Sequence, residues 1–297
     1  MTFKLVGVGE VLWDLLPDGR QLGGAPANFA YHARALGADA RVISRVGKDP
    51  LGEELVERLN CLGVPTDCLA VDDTRPTGTV SVEVAPNGEP HFTIHQDVAW
   101  DNLSLTRTAS LAVAAANAVC FGTLAQRSDP ARSTIRALLQ ATPPVCLRVV
   151  DVNLRQHFYS RAVIEESLAR ANVLKVTESE LPILAEMFAL RGDERAQMSQ
   201  LAQRHQLRAV AYTRGASGSL LLADGRWSDH PGVPARVVDT VGAGDSFTAA
   251  MVLGLLVGWD LDKINRHANA LAAHVASCAG ATPALPDHFK AAFRDCS

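Results

Sequence analysis

Val237-Val-Asp-Thr-Val-Gly-Ala-Gly-Asp-Ser-Phe-Thr248 joins an extended apolar entry to a long apolar helix running on to about Gly258. Gly242 and Gly244 permit a tight turn and let backbone N–H groups approach a ligand without interference from a Cβ. A helix opening on this turn presents free N–H donors and the positive end of its dipole, and both favour an anion. Asp245 falls in the first turn, where the dipole predicts a stabilised carboxylate able to accept a proton. A transferring phosphoryl group uses both features: donors neutralise its charge, and a carboxylate takes the proton of the attacking hydroxyl. On Gly-x-Gly-Asp alone, Asp245 is equally readable as a helix cap.

Outward from this stretch, the chain alternates strands and helices. Lys4 to Gly9 reads as a buried strand ending in glycines, Ala27 to Leu36 as a helix stopped by Gly37, and Ala40 to Val46 as a second strand. A helix from about Leu51 to Leu62 follows. This is the grammar of a parallel α/β sheet. Between Thr77 and Ala99 the period shortens to two, and Thr79–Ala85 and His91–His95 flank Asn87-Gly88, a hairpin signature. Two such strands need support, which predicts a flap over a cleft. The alternation resumes with strand candidates at Ala118–Phe121, Val145–Val150, Val173–Val176 and Ala209–Tyr212. A second hairpin turns through Asp224-Gly225, and helices at about Asp245–Gly258 and Leu261–Ala279 close the chain.

Composition bounds the answer. In 297 residues, 47% are hydrophobic and 20% charged, enough for the core of one large α/β domain and unlike disorder. A formal net charge of −4 without a basic stripe argues against a nucleic-acid partner. The six cysteines form no Cys-x-x-Cys pair, and Cys120 and Cys146 sit in apolar runs, so packed thiols are expected. The apolar start breaks at Gly9-Glu10, unlike a signal peptide, and the run Ala249–Val257 is about half a membrane span. A soluble cytoplasmic protein without a membrane partner is the expectation.

The string Asp239-Thr-Val-Gly-Ala-Gly-Asp-Ser-Phe247 resembles the C-terminal signature of the PfkB, or ribokinase-like, carbohydrate kinases. Gly23-Gly24-Ala-Pro-Ala-Asn28, Ala35-Leu-Gly37 and Arg45-Val-Gly-Lys-Asp-Pro-Leu-Gly52 resemble the same family's N-terminal signature. The resemblance runs from end to end. It implies an α/β, ribokinase-like three-layer fold with a mainly parallel central sheet and a small β-sheet lid. The lid would be built mainly from about residues 10–22 and 77–99 of a single 1–297 domain. It further implies an ATP- and Mg²⁺-dependent transfer to a sugar hydroxyl, with Asp245 as base and Gly242, Ala243 and Gly244 in the anion hole. Asp14, Gly23, Gly24 and Asn28 would contact the sugar, where close backbone approach and bidentate acceptors suit hydroxyls.

Ala99-Trp-Asp101, Phe121-Gly-Thr-Leu-Ala-Gln-Arg127 and Asp151-Val-Asn-Leu-Arg155 are similar to bacterial fructokinases more than to ribokinases or nucleoside kinases. Asn153 and Arg155 would emerge at the C-terminal edge of a strand, where open α/β sheets bind ligands. Trp100 would pack on the sugar or fill the flap interface. For ATP, the family's Thr-x-Gly-x-x-Gly loop corresponds to Thr213, Gly215 and Gly218, and an adenine-side contact corresponds to Asn269. Glu180 stands where relatives hold Mg²⁺ through water, although Thr177 replaces the usual asparagine. Relatives that use K⁺ hold it by backbone carbonyls, matched here by Asp239, Val241, Val275, Gly280 and Ala284. Relatives often pair through the lid, so the resemblance offers a homodimer through it as a hypothesis.

Other sugars (2-keto-3-deoxygluconate or ribose) and nucleosides remain alternative acceptors, and a non-catalytic sugar sensor remains an alternative class. A dinucleotide site is argued against by Gly7-Val-Gly9-Glu-Val-Leu12, which lacks the third glycine. No Gly-x-x-x-x-Gly-Lys-Ser/Thr occurs.

Overall fold

Side chains along a strand point alternately to opposite faces, so a strand buried on both sides serves two cores. In a computed structural model describing residues 2–17, 19–84 and 90–294, the chain does this throughout. Leu5 joins one hydrophobic cluster while Val6 and Val8 join the other; Ala118 and Cys120 oppose Val119 and Phe121 in the same way.

The first third comprises β1 (Lys4–Val8), β2 (Leu12–Leu16), β3 (Gly19–Gly23), α1 (Ala25–Ala35), β4 (Asp39–Gly47), α2 (Pro50–Cys61), β5 (Leu69–Asp72), β6 (Gly78–Val84) and β7 (Pro90–Ile94). The middle comprises α3 (Arg107–Ala114), β8 (Ala118–Phe121), α4 (Asp129–Gln140), β9 (Leu147–Asp151), α5 (Arg161–Arg170), β10 (Val173–Thr177), α6 (Leu181–Phe188) and α7 (Glu194–His205). The rest comprises β11 (Ala209–Thr213), β12 (Ser219–Ala223), β13 (Arg226–His230), α8 (Ala243–Val257), α9 (Leu261–Ala276) and α10 (Asp287–Arg294). The strand β5 and the last helix α10 were not anticipated. The turn expected at Asn87-Gly88, and Cys296, lie outside the described residues.

The central sheet has nine strands in the order β13-β12-β11-β10-β9-β8-β1-β4-β5. All its pairs are parallel except the β11–β12–β13 hairpin edge. Helices α1, α2, α8, α9 and α10 cover one face and α3 to α7 the other, which makes three layers. A separate four-stranded sheet, β3-β2-β6-β7, carries the parallel pair β2–β6 between two antiparallel ones. Trp13 Nε1 of this small sheet donates to Leu51 O at 2.9 Å. This is the ribokinase-like architecture, with the lid sheet in place.

Most helices open on a side-chain cap. Asp49, Thr106, Ser128, Ser160, Asp193 and Asp260 each accept from the backbone N–H three residues on, an arrangement worth about 1 kcal/mol each. Helices α1 and α8 instead open on Gly24 and Gly242 with no side-chain cap. No helix among the described residues is long and apolar enough to cross a membrane, and Cys68, Cys120 and Cys146 are buried free thiols.

Candidate active site

The strand order reverses at β1, whose neighbours are β4 on one side and β8 on the other. Open α/β sheets leave a crevice at such a point, beyond the carboxyl ends of the strands. The two glycine-led helices, α1 and α8, meet there. Gly242 holds φ at +79°, and a Cβ on it would lie 2.5 Å from Ala281 O. Both conditions call for glycine. Gly242→Ala is therefore expected to displace the start of α8 and lower turnover about 100-fold, measured as kcat on folded protein. Ala243 N–H bends back to Thr240 O at 3.3 Å, while Gly244 N–H and Asp245 N–H have no acceptor among the described residues. Of the three donors expected here, two are free.

Asn28 of α1 donates Nδ2–H to Asp245 Oδ2 at 2.8 Å across 217 residues of chain. Burial raises the Asp245 carboxyl above the ordinary aspartate range, and Asn28, Lys175 and Arg155 offset this only in part. The sequence predicts the opposite direction from the helix dipole. The loss of water around the carboxylate outweighs that dipole, and the result is a stronger proton acceptor. Asn28 Oδ1 is buried without a partner, an acceptor suited to a hydroxyl donor.

Around this pair stand two more carboxyls and one guanidinium. Asp14, on β2 of the lid, is raised to about 6 by burial, with Arg155 opposing and Asp239 adding to the shift. Gly23 makes room for it, since a Cβ there would fall 2.4 Å from Asp14 Oδ2. Glu10, two residues beyond β1, is 2% exposed with Oε2 unpartnered. Burial raises it to about 7, with Asp245 adding to the rise and Arg155 opposing. Arg155 thus acts electrostatically on Glu10, Asp14 and Asp245 alike. Its loop is held by Glu180, whose Oε1 accepts from Leu154 N at 2.8 Å, and Asn153 adopts a positive φ of 40° within it.

The Glu10 shift has a measurable consequence for stability. Below the ordinary value of 4.5 both folded and unfolded chains hold the proton, and no penalty arises. Between there and about 7 the unfolded chain loses it first, so stability falls as pH rises. Glu10→Gln removes the ionisable group. Urea midpoints are expected to show the variant gaining about 3 kcal/mol relative to wild type between pH 4.5 and pH 8. An unchanged difference across that range refutes the assignment.

Beneath α8 lies an ion pair that sequence reading missed. Lys175 Nζ sits 3.0 Å from Asp151 Oδ2, with both residues about 95% buried. Burial works against the ammonium, but Asp151, Glu180 and Asp245 outweigh it and raise its pKa. A Cβ on Gly244 would lie 3.3 Å from the same Nζ. The charge therefore backs the start of α8. Its signal was a lysine inside the apolar strand Val173-Leu-Lys-Val176.

Other expected residues fall in different places. Thr213, Gly215 and Gly218 lie at the carboxyl end of β11, on the same sheet edge. Gly218 is required by the crossing chain, since its Cβ would meet His230 O at 2.0 Å; Gly215 has open space. Asn269, expected on the adenine side, is 7% exposed. Its Nδ2 donates to Ser219 Oγ and to Asn265 O and Oδ1 at 2.7–2.9 Å, making it an internal strut. Trp100 is 1% exposed with the Arg127 guanidinium 4.0 Å over its ring, so it fills the joint below the lid rather than facing the crevice.

Glu180 Oε2 accepts from Thr177 N at 2.9 Å, which leaves both its oxygens bonded to backbone. No group of three or more metal-ligating side chains occurs among the described residues. Asp239 bridges two loops, accepting from Val241 N and Gly280 N at 3.0 Å each. Val275 O and Ala284 O each already accept one hydrogen bond, from Cys278 N and His274 Nε2. Neutral carbonyls beside one carboxylate suit a weakly hydrated monovalent cation.

A cavity of about 410 Å³ lies to one side, walled by Gln96, Arg127, Ser128, Arg132 and His157. It contains none of the expected site residues, and Arg127 in its wall is already forked onto Asp101 at 2.7 Å. A second, much smaller pocket lies at the switch point and is lined by Ala25, Phe29, Cys120, Asp151 and Asp245.

Comparison with known proteins shows the family to which the chain belongs. The profile of the pfkB family carbohydrate kinases matches residues 19–288. The fructokinase of Klebsiella pneumoniae is 32% identical over 303 residues, covering 96% of this chain and 97% of its own. An uncharacterized sugar kinase of Pyrococcus horikoshii, solved in complex with ATP, superposes with a TM-score of 0.79 at 30% identity, covering 94% of each chain. Fructokinase from Vibrio cholerae, solved with fructose, ADP and calcium, superposes with a TM-score of 0.81 at 25% identity, covering 98% of this chain and 99% of that one.

Proposed function

The chain belongs to the pfkB family of carbohydrate kinases, and from that premise we propose that it transfers the γ-phosphoryl group of ATP to fructose, giving fructose 6-phosphate. The observation that carries the reading is Asn28 holding Asp245 at the uncapped, glycine-led start of α8. Asp245 accepts the proton of the sugar hydroxyl while that oxygen displaces ADP from the γ-phosphorus. Gly244 N–H and Asp245 N–H receive the charge that develops on the transferring group, with Gly242 shaping the turn and Ala243 contributing helix dipole.

Asp14, Asn28 and the backbone at Gly23 and Gly24 orient the sugar, and Arg155 neutralises the acidic wall around it. Thr213, Gly215 and Gly218 border the nucleotide. Mg²⁺, when bound, draws charge from the ATP phosphates, and Glu180 steadies the loops beside it. K⁺ between the Asp239 and Gly280 loops would add positive field near the anion hole. The lid of β2, β3, β6 and β7 closes over the sugar and excludes water. Its exposed Phe92 offers a contact for a second copy; light scattering that finds only a 31.7 kDa species would remove the dimer.

A coupled ADP-release assay with ATP, Mg²⁺, with and without K⁺, tests the reading. The panel holds fructose, glucose, ribose, 2-keto-3-deoxygluconate and adenosine. Fructose-dependent turnover is expected. Turnover with another acceptor alone keeps the mechanism and replaces the substrate. Silence across the panel with folded protein favours a sugar sensor.

A further inference from the structure

His32 lies one helical turn after Asn28 on α1, on the same face. It is fully buried, and its Nε2 stands 2.9 Å from Ala281 O. Nδ1 has no partner. A ring nitrogen so close to a carbonyl oxygen must carry the proton, so the ring is the neutral tautomer that donates from Nε2. Burial agrees, holding the imidazole down to about 4 even though the Ala281 carbonyl pulls the other way.

Ala281 O is also the atom that a Cβ on Gly242 would strike, with Ala281 Cα at 2.8 Å and Cβ at 2.9 Å from the same point. The Ala281 backbone is thus the wall against which the turn before α8 is pressed. The wall is pinned elsewhere too: Tyr31, the residue before His32, donates its hydroxyl to Pro283 O at 2.8 Å, and Asp239 ties Gly280 N to Val241 N. Helix α1 therefore grips the site at two points. Asn28 fixes the carboxylate, and His32 fixes the loop behind the donors.

We propose that His32 is a positioning residue for phosphoryl transfer, holding the Ala281 carbonyl so that Gly242 and the free N–H groups of Gly244 and Asp245 keep their place relative to the Asn28–Asp245 pair. This rests on the kinase reading above. A shift of about 1 Å in such a constellation costs on the order of 100-fold in rate. Removing the donor also leaves the buried carbonyl unsatisfied, which favours movement of the loop.

The test compares wild type, His32→Leu and His32→Gln, all shown folded by melting. Glutamine places an amide N–H at a similar reach; leucine fills the volume without a donor. Two quantities are read: kcat and KM in the ADP-release assay, and hydrogen–deuterium exchange of the 239–246 segment without ligands. The leucine variant should lose about 10- to 100-fold in kcat, with sugar KM little changed and faster exchange. The glutamine variant should recover most of both. Wild-type kcat in the leucine variant, equal loss in both variants, or lost kcat with unchanged exchange overturns the proposal. If wild type phosphorylates no sugar in the panel, the fructose reading fails by itself. Exchange in the three ligand-free proteins then decides His32, and equal protection in all three overturns it.

Discussion

Replacing Asp245 by asparagine lowers kcat about 1,000-fold, while sugar KM stays within a few-fold of wild type and the protein folds at least as well. The expectation follows from the surroundings of one carboxylate. Asn28 Nδ2 donates to Asp245 Oδ2, and an asparagine Oδ1 accepts that bond equally, so the geometry survives. What disappears is the proton acceptor. Stability does not suffer, because burial already disfavours the charge that the substitution removes. The raised carboxyl also displaces the acid limb of the wild-type kcat/KM profile above that of an ordinary aspartate. The variant should lose the contribution of Asp245 to that limb and keep that of the sugar-side Asp14, which is raised to about 6. Coupled ADP release between pH 5 and pH 9 reads both effects. A variant retaining a tenth of wild-type kcat would end the assignment of Asp245 as the base.

The second large effect concerns the pair beneath α8. Lys175→Met leaves Asp151 buried with no counter-charge and should cost about 3–5 kcal/mol, which corresponds to a fall in Tm of about 10 °C. Lys175→Met with Asp151→Leu removes both charges and should restore most of that stability. Activity separates the two roles. Lys175 Nζ lies directly under Gly244, so the double variant stays deficient in kcat although it is stable. Calorimetry and turnover on the same preparations check the pattern. Equal stability of the single and double variants would show that the buried pair carries no net coupling.

Sequence and structure agree best where local chemistry repeats a known physical pattern. The glycine-led start of α8 follows from two glycines, an acid and an apolar run, all local. The parallel sheet follows from short apolar strands separated by helices. The lid hairpin follows from a change of period. The strand β5, a four-residue edge element in Leu69-Ala-Val-Asp72, has no pattern of its own and exists because β4 pairs with it. The helix dipole alone gives the wrong direction for Asp245, because burial depends on distant chain: a dipole is visible locally while a desolvated pocket is not. Asn269 and Glu180 resemble ligand groups in sequence, but their hydrogen bonds commit them to neighbouring backbone and side chains. Lys175, Glu10 and His32 gave weak local signals: a charge inside a strand, an acid after a glycine, a histidine on a buried helix face. Asp151 lies 24 positions from Lys175 and Ala281 lies 249 from His32, while Asp245 reaches Glu10 from the far end of the chain, and only the tertiary structure brings them together.

The strand order also has a meaning in time. From β8 onward, each new strand of the central sheet docks beside the one made just before it, β8 to β9 to β10 to β11 to β12 to β13. A ribosome delivering the chain from its amino end can therefore extend the sheet by local additions, with little waiting. The base of the proposed reaction is the exception. Asp245 arrives on α8, after the whole sheet, and must return 217 residues to reach Asn28. On the kinase reading proposed above, the growing chain therefore stays without its proton acceptor until α8 closes on α1.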